Sequence, residues 1–222
     1  MTKVVKLQAS DGHKLDAYVA EPDGKPWGGL VVVQEIFGVN QHIRSVADRF
    51  AHEGFYVVAP ALFDRVEPNA ELTDSAEGMQ KGMAVAQKIG IDDAVKDVDA
   101  ALQYARKENG KPAGVVGYCY GGTLAWLAAT RLAPAAAVGY YGGHIARFAH
   151  EKPQVPVLLH FGKQDNHIPE ADVARAQAAH PEVTIDWYDA GHAFNNDTRA
   201  SYNAEAAREA MARTLAFLNR HL

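Results

Sequence analysis

An apolar run, Ala113-Gly114-Val115-Val116, leads into Gly117-Tyr118-Cys119-Tyr120-Gly121-Gly122, and the helix-forming stretch Thr123-Leu124-Ala125-Trp126-Leu127-Ala128-Ala129 follows without a break. A strand, a glycine turn and a helix in immediate succession constrain the fold more than any other segment. A turn this sharp holds its central residue in a strained conformation, so the flanking positions must be small, and Gly117, Gly121 and Gly122 meet that demand. The central residue is Cys119, the only cysteine in the chain. A single cysteine is ordinarily a small buried hydrophobe. A structural cysteine has no need of glycines around it, however, and this context marks Cys119 as a candidate nucleophile for acyl transfer.

The remaining segments alternate in a way that fits such a turn. Val4-Val5-Lys6-Leu7-Gln8 and Leu15-Asp16-Ala17-Tyr18-Val19, separated by Ser10-Asp11-Gly12, read as an antiparallel hairpin. Gly29 to Val33 and Phe55 to Ala59 are apolar throughout, as strands covered on both faces are. Between them Val39, Ile43, Val46, Ala47, Phe50 and Ala51 recur at helical spacing, with Asn40 placed to cap. Helix and strand continue to alternate to the C-terminal helix, where Ala207, Met211, Leu215 and Leu218 share a face. The expectation is an α/β fold of about eight strands, a mainly parallel sheet with an antiparallel N-terminal hairpin and helices on both faces. That is the α/β-hydrolase architecture. Only Ala61 to Lys88 resists assignment, beginning as loop and ending as a helix over the site.

No linker divides the 222 residues, so one domain spanning 1–222 is expected. The net charge of −5 gives no reason to expect nucleic-acid or membrane partners. Met1 to Lys6 lacks a signal-like apolar segment, which makes a cytoplasmic location the default. The histidines are scattered, with no H-E-x-x-H pattern and no cysteine pair, so neither a metal nor another cofactor is expected. A monomer or small homo-oligomer acting on a small molecule fits these features.

In this architecture the nucleophile, acid and histidine follow one another along the chain, on loops at the carboxyl ends of strands. The strand Val155 to His160 runs out into Phe161-Gly162-Lys163-Gln164-Asp165, and the strand ending at Tyr188 into Asp189-Ala190-Gly191-His192. Asp165 would orient His192, and His192 would keep Cys119 as thiolate. Asp189 competes as the acid but precedes His192 on the same loop. His160 and His167 flank the acid on the wrong loop. His144, after Tyr141-Gly142-Gly143, is placed to line the cleft.

Together these segments resemble the dienelactone hydrolases (carboxymethylenebutenolidase-like) over nearly the whole chain. The resemblance rests on Gln34-Glu35-Ile36-Phe37-Gly38-Val39-Asn40, on Val116 to Gly122, on Gly162-Lys163-Gln164-Asp165 and on Trp187-Tyr188-Asp189-Ala190-Gly191-His192. It implies an activated ester or lactone hydrolase of the enol-lactone type. Cys119, Asp165 and His192 would form its triad, Glu35 would contact the resting thiol, and the backbone N–H groups of Ile36 and Tyr120 would form the oxyanion hole. The sequence departs from the best-studied branch at two arginines that hold a substrate carboxylate. One falls near Met79-Gln80-Lys81 and the other at Asn196. Lys81 and Arg199 lie near without being in register. Met79, Met83, Tyr141, His144, Phe194 and Asn196 are the candidate substrate-pocket residues. A thioesterase or general carboxylesterase of the same fold is the alternative activity, and a non-enzymatic ligand-binding member a more distant one.

Overall fold

A computed structural model describes residues 1–222. Its centre is one sheet of eight strands: β1 (Thr2–Gln8), β2 (Lys14–Ala20), β3 (Gly29–Val33), β4 (Tyr56–Pro60), β5 (Ala113–Tyr118), β6 (Ala137–Tyr140), β7 (Val157–Gly162) and β8 (Thr184–Tyr188). They lie in the order β1-β2-β4-β3-β5-β6-β7-β8. The hairpin predicted at the N-terminus is present, with β1 antiparallel to β2 in a register that pairs Leu7 with Leu15. β2 runs antiparallel to β4, and every later pairing is parallel. The apolar strands β3, β4, β5, β6 and β7 are buried at every residue, whereas β1 is an edge strand exposed along most of its length.

Six α-helices accompany the sheet: α1 (Gln41–His52), α2 (Ala76–Ile89), α3 (Ile91–Asn109), α4 (Tyr120–Arg131), α5 (Glu170–Ala179) and α6 (Ala204–His221). The Asn40 side chain accepts from the N–H of Ile43 and caps α1, as the sequence suggested. The chain leaves β3 toward β4 on one side and returns through α3 to β5 on the other. Right-handed crossovers in opposite directions place α1 and α3 on opposite faces of the sheet. The reversal leaves the carboxyl ends of β3 and β5 side by side at a topological switch point, where open α/β sheets build their sites. No helix is long and apolar enough to cross a membrane.

The segment that resisted assignment has a physical explanation. After β4 a 3₁₀ turn at Leu62–Arg65 is tied down by Arg65, whose guanidinium forms a two-pronged pair with Asp97 of α3 at 2.7 and 2.8 Å. Asp97 has no exposed surface, and Arg65 also meets Asp11 at 2.9 Å. The chain then loops to Ser75, which caps α2 through the N–H of Gly78. α2 seats by close approach: a Cβ at Gly82 would overlap the carbonyl oxygen of Ile36. Its buried face is Gly78, Gly82, Val85 and Ile89, and only the last two have side chains large enough to announce it in the sequence.

Candidate active site

Cys119 stands between β5 and α4 with φ 53° and ψ −110°, a conformation that side-chain-bearing residues rarely adopt. Its N–H donates to Tyr140 O at 3.0 Å, and its own carbonyl accepts from Gly122 and Thr123. Cβ atoms at Gly117 and Gly121 would overlap the carbonyls of Gly121 and Val33. The turn closes only because those positions carry no side chain.

The predicted partners come together at this turn. Nε2 of His192 lies 3.3 Å from Cys119 Sγ, and Nδ1 lies 2.7 Å from Asp165 Oδ2. The other Asp165 oxygen accepts the backbone N–H of His167 at 2.8 Å. Asp189 is exposed and takes a hydrogen bond from Gln164 instead, so only Asp165 reaches the imidazole. Burial by itself would lower the His192 pKa. The hydrogen bonds and charges of Asp165 and Cys119 outweigh burial and raise it to about 10. A protonated His192 donates from both ring nitrogens, toward a carboxylate on one side and the sulfur on the other. The backbone N–H groups of Ile36 and Tyr120 have no acceptor within the protein.

Glu35, which the resemblance sets against the resting thiol, makes its hydrogen bond elsewhere. It is 1% exposed and its Oε2 accepts from Asn196 Nδ2 at 2.7 Å, while the thiol is paired with His192. The amide orientation of Asn196 is fixed by Thr198, which donates from both its N–H and its hydroxyl to Asn196 Oδ1. Asn196 is therefore the residue that holds Glu35. Glu35 Oε1 is buried without a partner, as is the hydroxyl of Tyr141.

The other candidates divide into two groups. Tyr141 and Phe194 have no exposed surface; the Tyr141 ring lies 5.2 Å from that of His192, and Phe194 packs behind Tyr141 with ring centres 5.4 Å apart. Tyr141 also has a positive φ of 39°. Met83 and His144 are exposed, and Met79 is half-buried beside Gly78 on α2. The two cations near the missing arginines are both engaged. Lys81 pairs with Glu67 at 2.5 Å, and Arg199 meets Asp74 at 3.3 Å with its guanidinium over the Phe37 ring. His167, set aside in the sequence because of its loop, lies against His192 with ring centres 5.1 Å apart. Its two-residue offset from Asp165 was the available signal, since an aspartate that accepts the N–H two residues on folds its loop back. No cluster of three or more His, Cys, Asp or Glu side chains is placed to hold a metal ion.

Comparison with known proteins places this geometry in context. The dienelactone hydrolase family matches over residues 15–222. The carboxymethylenebutenolidase of Pseudomonas putida is 35% identical, with 98% of this chain and 96% of that protein aligned. Carboxymethylenebutenolidase 1 of Cupriavidus pinatubonensis is 30% identical over 96% of this chain and 95% of its own. A crystal structure from Klebsiella pneumoniae, of a protein provisionally described as a dienelactone hydrolase, superposes with a TM-score of 0.83 at 30% identity. It covers 97% of this chain and 98% of that one. An esterase of Pyrococcus furiosus shares the fold with a TM-score of 0.74 at 15% identity, over 100% of this chain and 93% of that one.

Proposed function

The chain belongs to the dienelactone hydrolase family, and we propose that it opens activated esters or enol-lactones through a Cys119 acyl-enzyme. The observation that carries this reading is the continuous hydrogen-bonded chain from Asp165 through His192 to Cys119. Its unusually basic imidazole favours a thiolate–imidazolium pair. The thiolate attacks the substrate carbonyl, and the oxyanion that forms accepts from the N–H groups of Ile36 and Tyr120. Collapse breaks the bond to the leaving oxygen, which takes the Nε2 proton of His192. Water then attacks the thioester, giving its proton to His192 and restoring Cys119 as the acid departs. Asp165 keeps the ring oriented and stabilises its charged form.

A thiolate is a better leaving group than an alkoxide, so attack on an ordinary alkyl ester mostly reverses. Enolates, phenolates and thiolates can compete, which favours activated lactones over amides. Glu35 enters as a modulator. Its unpartnered Oε1 is a buried acceptor of the kind a resting thiol proton can use.

The substrate class follows from the engaged cations. With Lys81 paired to Glu67, Arg199 to Asp74 and Asn196 to Glu35, none of these three groups is free to clamp a carboxylate. Neutral activated esters and lactones should therefore be preferred to small carboxylated ones. A charge-assisted contact is worth about 1.5–3 kcal/mol, so the expected preference in kcat/KM is about tenfold or more. Comparing a carboxylated enol-lactone with its neutral ester measures it, and a preference for the free acid would overturn the substrate argument. The mechanism is tested separately. One equivalent of a thiol-alkylating reagent should abolish hydrolysis of an activated aryl ester, and Cys119→Ala should be inactive. Full activity in that variant would sink the acyl-enzyme. Kinetics on thioesters and alkyl esters distinguish the reading from a thioesterase or general carboxylesterase.

A further inference from the structure

A cavity of about 240 Å³ opens between α1 and α6, on the face of the sheet opposite α3. Neither Cys119 nor His192 lines it, and none of its ten lining residues is acidic. Arg49 of α1 and Arg208 of α6 stand exposed at its mouth, and neither takes part in a salt bridge or a side-chain hydrogen bond. Phe50 and Met211 supply apolar wall. Tyr118 and Asn195 also line it and are 1% and 6% exposed. The Tyr118 hydroxyl and the Asn195 amide form no hydrogen bond within the protein, and neither is among its fully buried unpartnered atoms, so both are open to an occupant of the cavity.

Two unpaired guanidinium groups from neighbouring helices, an apolar middle and two polar side chains facing the cavity describe one kind of occupant. Polar groups that face a cavity and have no partner in the protein are free to pair with a ligand group. The absence of any lining carboxylate leaves the positive charge of the mouth uncompensated, which favours an anion. The volume lies below the usual range for drug-sized ligands and suits a molecule of one ring or a short chain.

We propose that this cavity is a binding site for a small organic carboxylate with a polar group at its far end, a hydroxyaryl carboxylate being the type. The carboxylate lies between Arg49 and Arg208. The apolar body packs on Phe50 and Met211, and the distal hydroxyl exchanges hydrogen bonds with Tyr118 and Asn195. The site lies behind the catalytic one, for Tyr118 immediately precedes Cys119 and Asn195 follows His192 by three residues.

The test is calorimetric titration with 4-hydroxybenzoate of the full chain after Cys119 has been blocked with iodoacetamide, so that no step depends on activity. Saturable binding of one equivalent is expected. It should weaken about tenfold or more in Arg49→Gln and in Arg208→Gln, and by a similar factor when 4-hydroxybenzamide replaces the acid. Both arginines are exposed helix positions, and far-UV circular dichroism verifies that the variants fold. Absence of saturation at millimolar concentration would overturn the proposal. So would binding that both arginine variants leave unchanged, or binding seen with the free thiol and lost on alkylation, which would place the ligand at Cys119.

Discussion

Two buried histidines stand near the carboxyl ends of neighbouring strands, and their environments drive them in opposite directions. His160 in β7 has no exposed surface and faces neutral hydroxyls, Tyr188 at Nδ1 and Thr214 at Nε2, each at 2.9 Å. The nearest carboxylate oxygen, on Asp186, is 4.0 Å away, and Arg213 holds that side chain at 2.6 Å. Burial, with a smaller push from the charge of Arg213, lowers the His160 pKa to about 3. His192 is also largely buried but lies between Asp165 and Cys119, and its pKa is raised to about 10. Burial is common to both. The charge of the partners decides which imidazole is a neutral structural bracket and which is a held cation.

The largest test of that contrast removes the partner charge. In Asp165→Asn the imidazole loses its carboxylate, and the Asn side chain can hold the wrong tautomer. Turnover of an activated aryl ester should fall by about 10³–10⁴-fold. Alkylation of Cys119 should also require higher pH, because a less basic imidazole no longer pairs with the thiolate. A variant within tenfold of wild type would show that burial alone organises the site.

A smaller effect appears in stability against pH. The folded pKa of His160 lies below its unfolded value of about 6.5. Its contribution is therefore complete above pH 6.5 and is lost as pH falls toward 3, at up to about 1.4 kcal/mol per pH unit. The folded pKa of His192 is raised, so its contribution is complete below pH 6.5 and is lost as pH rises through about 10. Thermal melts across pH 3–10 should show a shallower acid limb in His160→Gln and a shallower alkaline limb in His192→Gln. Interchanged limbs would refute the assignment of the two charge states. The smallest effect belongs to Glu35→Gln. This variant should keep the fold and shift the pH profile of thiol alkylation by about one unit at most. Superimposable profiles would reduce Glu35 to a structural partner of Asn196.

The sequence was informative wherever a residue type and a chain position imposed the same geometry. Glycines at 117, 121 and 122 announce a turn that only small residues allow, and the strand ends at Gly162 and Tyr188 deliver Asp165 and His192 to it. The cap at Asn40 was legible from local chemistry alone. The hidden features depend on contacts between distant residues. Nothing local pairs Arg65 with Asp97, Glu35 with Asn196 across 161 positions, or His167 with the face of His192. α2 was harder to read for another reason, since two of the four residues on its buried face, Gly78 and Gly82, are glycines.

The pairing of the one cysteine with a charged imidazole has a further chemical consequence. A thiolate is the form that peroxide attacks, giving a sulfenic acid. Proteins that survive such oxidation commonly close a disulfide with a second cysteine, and this chain has none. Cys119 can return from the sulfenic state only with a thiol supplied from outside the chain, and a second equivalent of peroxide that arrives first takes it to the sulfinic acid, from which it does not return. The thiolate that the proposed mechanism requires would therefore also tie the working lifetime of each molecule to the reducing power of its surroundings.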